Sequence, residues 1–131
     1  MNNKFNKDDL IKYRIEQAEN TIREIPLLID NGLNKTAVNR IYYGMFYMLL
    51  ALALENDFQT SKHSQLIGWF NKTFIKPGLL DIKFGKIIND AYENRSDSDY
   101  GLFIEFSKEE VEELFKEMKI FIAEIKNYLD K

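Results

Sequence analysis

Residues 40–56 read RIYYGMFYMLLALALEN, and from Ile41 to Leu54 fourteen consecutive positions carry neither a charge nor a side-chain amide. A bilayer crossing takes about 20 predominantly apolar residues, so a run of this length predicts a helix buried inside protein. Val38, Ile41, Met45, Leu49 and Leu52 recur at helical spacing along one side. Tyr43, Tyr47, Leu50 and Leu54 make a second stripe on roughly the opposite side. A helix that is apolar all round has to be covered on more than one face. Two arrangements satisfy this one: a central strut within a bundle, or one stripe on the core and the other on a second subunit. Gly44, in the middle, costs about 1 kcal/mol relative to alanine unless a neighbour comes close there.

Helical periods continue on both sides of this stretch. Ile11, Ile15, Ala18, Ile22, Ile25 and Ile29 form the stripe of a long first helix, in which Pro26 lacks an amide hydrogen and predicts a kink near the end. Gly32 suits a left-handed C-terminal cap, and Asn34 an N-cap for the second helix. A third helix is expected from Lys62 to Ile75, with Leu66, Phe70 and Phe74 on one face, ended by Pro77 and Gly78. Asp81 then caps a fourth, whose face of Phe84, Ile88 and Ala91 continues to Arg95. Ser107 and Glu110 have the spacing of a capping box for a fifth, with Val111, Leu114, Met118, Ile122, Ile125 and Leu129 as its stripe. No window alternates with the period of a strand. The fold class expected is all-α, an up-and-down bundle of four to five helices, with residues 1–131 forming a single domain.

Composition narrows the chemistry. The 131 residues contain no cysteine and one histidine, which excludes thiolate metal sites, disulfides and imidazole pairs within one chain. No metal and no cofactor is expected. The start, MNNKFNKDDL, has no apolar signal region, so a cytoplasmic location and no membrane association are expected. The net charge of −3 argues against bulk, sequence-blind DNA binding. It is unevenly spread: Lys62, Lys72, Lys76, Lys83 and Lys86 face only Asp81 within residues 62–86, whereas residues 87–106 set Arg95 against five carboxylates. The lysines read either as a local basic face or as solvated helix surface. DSDYG, at residues 97–101, has the look of a calcium loop, but its twelfth position is Lys108 where a glutamate is required.

Two residues carry the remaining chemistry. His63 is the only imidazole and so a candidate general base near neutral pH, unless it is incidental to a helix start capped by Thr60 or Ser61. Arg95 continues an apolar stripe, and a buried lone charge costs several kcal/mol. It either pairs with Asp97 or Asp99 as a structural tie, aided by the dipole of a helix ending there, or presents its planar fork of donors to a phosphate.

In this order, AVNRIYYGMFYMLLALAL, SKHSQLIGWFNKTFIKPGLLD and AYENRSDSDYGLF resemble the HEPN domain family. The likeness spans about residues 8–129. It is nearest to the small stand-alone prokaryotic members whose fourth helix ends in Arg-x-x-x-Asp-Tyr, here Arg95, Asp99 and Tyr100. The resemblance implies a homodimeric helical bundle that partners a small nucleotidyltransferase, often as a toxin–antitoxin pair, and binds RNA or nucleotide. It also implies a metal-independent ribonuclease motif of arginine, four to six residues, then histidine. Arg95 matches the arginine, but the histidine positions fall on Tyr100, Gly101 and Leu102. A phenol with a pKa of about 10 is a poor base at neutral pH. Cleavage would need Asp99, or His63 from either subunit, as base beside Arg95. Binding module, ribonuclease toxin and plain helical adaptor are therefore the three functions left open, with Arg95, Asp99, Tyr100 and His63 as the site residues.

Overall fold

A computed structural model describes residues 6–100 and 104–130, with side chains at 97–100 excepted. Within these residues the chain forms five α-helices and no strand: α1 Lys7–Asp30, α2 Asn34–Glu55, α3 His63–Phe70, α4 Ile82–Tyr100 and α5 Lys108–Leu129. The central-strut arrangement accounts for α2. It packs against α1, α3, α4 and α5, and Ile41, Tyr42, Met45, Met48, Leu49, Ala51 and Leu52 are all essentially inaccessible. By length and composition α2 also passes as a membrane span, but two-thirds of its apolar window is buried inside the protein, as a core helix requires. Its second stripe, Tyr43, Tyr47, Leu50 and Leu54, is half-buried against the same core. Each large apolar side chain enclosed in this way contributes about 1.5–3 kcal/mol.

Local signals set the helix ends. Asn6 caps α1 by accepting from the Asp9 amide at 2.8 Å. The helix then runs through Pro26 and closes in a Schellman motif: the Gly32 amide donates to Ile29 O at 3.0 Å and the Leu33 amide to Leu28 O at 2.9 Å. Gly32 takes φ +71°, which only glycine adopts at no steric cost. Because that motif makes Leu33 the residue before α2, Asn34 is not the N-cap expected of it. It lies inside the helix, and its Nδ2 donates to Phe106 O at 2.8 Å, tying α2 to the segment before α5. Asp81 caps α4 through the Lys83 amide at 2.9 Å, and the Ser107–Glu110 capping box is present with both bonds formed.

Two further elements differ from expectation. The third helix does not stay α-helical to Ile75: after Phe70 it widens into a π-helical turn over Asn71–Ile75, with Lys76 N donating to Asn71 O at 2.8 Å. The wider turn brings residues four apart more nearly into line, and Phe70 and Phe74 are both enclosed with rings 6.0 Å apart. Helix α4 crosses this turn at Gly85, where a Cβ would meet Asn71 Oδ1 at 2.7 Å and both Ile75 γ carbons at 3.3 Å. The second difference is from the reading of a helix that ends at Arg95: α4 continues to Tyr100, the end that the Arg-x-x-x-Asp-Tyr resemblance implied. Arg95 therefore lies ahead of the last turn, where the helix dipole has little hold on it.

Gly44 marks a second close approach. A Cβ there would run into the Met118 methyl of α5 and lie 3.2 Å from Thr21 Cγ2 of α1, with both neighbours buried. Gly44→Val should therefore lower stability by about 1–3 kcal/mol despite its gain over glycine in helix propensity, because a branched side chain overpacks the crossing. Urea unfolding with an unchanged m value is the check.

Candidate functional site

One turn of α2, the first residue of α3 and the middle of α4 meet in an aromatic cluster around a cation. Tyr42 and Phe46 are four apart on α2 and therefore share a face. His63 opens α3 and lies flat on Phe46, with ring centroids 4.1 Å apart and planes at 6°. Its Nδ1 is 2.7 Å from the Tyr42 hydroxyl. Tyr43 presents its edge to the same imidazole at 5.7 Å. From α4, Tyr92 comes within 5.6 Å of the Tyr42 ring and 6.4 Å of His63. Arg95, one turn further on, has its guanidinium carbon 5.5 Å from the Tyr42 ring centre and 5.4 Å from that of Tyr92. Each such cation–π contact contributes about 0.5–1 kcal/mol when exposed and more when desolvated.

The electrostatics follow from this enclosure. Burial drives the Tyr42 phenol well above its ordinary pKa, with Tyr92 and Tyr43 adding to the shift and the charge of Arg95 opposing it, so the hydroxyl keeps its proton. Burial also lowers the pKa of His63, and Arg95 lowers it further by like-charge repulsion, so the imidazole is neutral at pH 7. Arg95 keeps its charge at any relevant pH. The cluster is thus a permanent cation lying against two tyrosine rings, with a neutral imidazole sharing those two neighbours.

Of the residues singled out in the sequence, Arg95 and His63 are brought into this one cluster. His63 is far from incidental to a helix start: Lys62 precedes α3 with no side-chain cap, and the Thr60 hydroxyl accepts from Lys62 N at 3.2 Å. Asp99 and Tyr100 belong to the last turn of α4, and their side chains lie outside the described residues, as do those of Asp97 and Ser98. Tyr42, Phe46 and Tyr92 were not recognised in the sequence. The available signals were the Tyr42–Phe46 spacing of four and the Tyr92–Arg95 spacing of three. Lys83 and Lys86 line a separate groove of about 650 Å³ between the π-turn and α4, but Asp90 and Glu93 line it too. Lys86 is ion-paired to Asp90 at 2.7 Å. That groove is electrically mixed, not a basic face.

The lowered pKa of His63 has a consequence for stability. Just below pH 6.5 the unfolded chain binds a proton that the folded imidazole refuses, so this contribution is complete above the ordinary histidine value and is lost as the pH falls. Melting temperature should therefore drop between pH 7.5 and pH 5.5, and the drop should be smaller in His63→Gln. An identical drop in both proteins would contradict this account.

Comparison with known proteins matches the architecture. The sequence profile of the HEPN domain fits residues 11–128. A Thermotoga maritima protein named "UPF0332 protein" is 34% identical over 95% of this chain and 94% of its own length. Two Methanocaldococcus jannaschii proteins, each named a "putative toxin", are 40% identical over 88% of this chain and 78% of their counterpart, and 32% identical over 95% and 94%, respectively. With the five-helix bundle and nearly full-length coverage by both profile and relatives, the chain belongs to the HEPN domain family.

Proposed function

We propose that this protein is a toxin-type HEPN component that acts as a homodimer, binds RNA or nucleotide phosphates at Arg95 and works with a small nucleotidyltransferase. The observation that carries the binding site is the Arg95 guanidinium set against the rings of both Tyr42 and Tyr92, which His63 also contacts. Aromatic faces and a planar cation are the elements with which proteins hold unpaired bases and their phosphates. The toxin assignment draws on the names of the two Methanocaldococcus relatives. A cytoplasmic location fits such a role.

The adaptor reading is less favoured, because a purely structural arginine gains nothing from a neighbouring half-buried imidazole that it makes less basic. Ribonuclease activity is the second reading, favoured by the shared contacts of His63 and Arg95 with Tyr42 and Tyr92, which put two groups able to hold a phosphate in one cluster. In that case Arg95 would stabilise the phosphorane charge, and a base from the site would take the 2′-hydroxyl proton within about 3 Å.

Arg95 decides between these functions. In a fluorescence-anisotropy titration with a short single-stranded RNA, Arg95→Ala should weaken binding about 10- to 100-fold, the scale of one charged hydrogen-bonding group. Arg95→Lys should fail nearly as badly, since lysine lacks the planar fork. Induced expression of the wild type should arrest growth, and Arg95→Ala should not. Equal RNA binding by all three proteins would overturn the site. The dimer is tested separately: sedimentation at tens of micromolar, the range of ordinary oligomer affinities, should show two chains per particle. A monomer throughout would remove the dimeric part of the proposal.

A further inference from the structure

The Tyr42 hydroxyl is enclosed, and among the described residues its hydrogen-bond partner is His63 Nδ1, at 2.7 Å. A neutral imidazole has one N–H and one bare nitrogen, so this contact has two forms. In the first, the phenol donates to a bare Nδ1, and the ring proton sits on Nε2. In the second, Nδ1–H donates to the phenol oxygen, and the phenol's own proton is left without an acceptor in an enclosed position. An enclosed donor without an acceptor costs about 1–3 kcal/mol, whereas an unused lone pair on an oxygen already engaged costs much less. The first form is favoured.

We propose that Tyr42 is a positioning residue that locks His63 in its Nε2-protonated tautomer, so that His63 offers the Arg95 site a hydrogen-bond donor for an anionic oxygen and not a proton acceptor. The flat contact with Phe46 and the edge contact with Tyr43 hold the ring in the plane this requires. The functional half rests on the reading of Arg95 as a phosphate-binding residue. The substrate class is thereby narrowed to a phosphate ester whose oxygen accepts from both an arginine and an imidazole N–H. A base for any 2′-hydroxyl attack then has to be a group other than this imidazole.

His63 is the only histidine in the chain, so a protein labelled with nitrogen-15 histidine gives a single imidazole in a long-range proton–nitrogen correlation spectrum. At pH 7.5 the wild type should show a protonated Nε2 and a bare, hydrogen-bonded Nδ1. Tyr42→Phe, checked for folding by circular dichroism, should shift both nitrogens toward tautomer-averaged values. A protonated Nδ1 in the wild type overturns the lock, even if Tyr42→Phe fails to fold, and so does an unchanged spectrum in a folded Tyr42→Phe. In the RNA titration His63→Ala should weaken binding about 2- to 10-fold, the scale of one neutral hydrogen bond. His63→Gln, whose amide nitrogen reaches the position of Nε2, should restore it. Equal loss in both variants overturns the donor role. Should Arg95→Ala leave RNA binding unchanged while the spectrum is as expected, the phosphate reading falls and the tautomer lock stands.

Discussion

Everything in this molecule is arranged around the need to cover α2. A helix with almost no polar face cannot lie on a surface, and α1, α3, α4 and α5 all pack against it. The crossing at Gly44 shows how tightly this is done, with α1 and α5 side chains meeting over a position that has none of its own. The ion pairs between helices are secondary. Lys126–Glu19 at 2.6 Å links α5 to α1, and Arg40–Glu24 at 3.0 Å links α2 to α1, but both lie at the solvent boundary, where such pairs contribute about 0–1 kcal/mol. Apolar coverage sets the topology, and the charges trim it.

The candidate site is a by-product of the same coverage. Tyr42 and Phe46 are core residues of α2, and Tyr92 lines the flank of α4 that covers them. What sets this piece of core apart is its position at the edge, where α3 begins. His63 closes the aromatic cluster there, and Arg95 brings a charge to a place where two rings can partly take over the role of water.

The helical periods, the capping box at Ser107 and the left-handed turn at Gly32 were all legible in the sequence, because each is a local property of a few residues. Other features were not. Leu66, Phe70 and Phe74 fit a continuous α-helix as well as they fit one that widens into a π-turn, and the close packing of α4 on that turn at Gly85 is a tertiary feature that the apolar period does not show. Residues 96–100 have no apolar period to announce a helix, yet the backbone of α4 runs on through them. Asn34 has the chemistry of a cap, but the turn at Gly32 sets it one residue inside α2, where its Nδ2 donates to a tertiary acceptor, Phe106 O. His63 and Arg95 each stood out by residue type. Their meeting did not, since it depends on how α3 and α4 dock onto α2, and the all-apolar run hides which of its tyrosines faces them.

Tyr42, His63 and Tyr92 come from three helices and approach one another only when the bundle is assembled. An unfolded chain has no version of this arrangement to offer. Any molecule that occupies it therefore binds the native state alone and raises the free energy of unfolding by mass action, by about 2.7 kcal/mol at a free concentration one hundred times its Kd. For a domain whose total stability is on the order of 5–15 kcal/mol, that is a substantial fraction. Occupancy of the aromatic cluster and the stability of the fold are in this way a single equilibrium, so a ligand held as proposed at Arg95 would also protect the chain against unfolding.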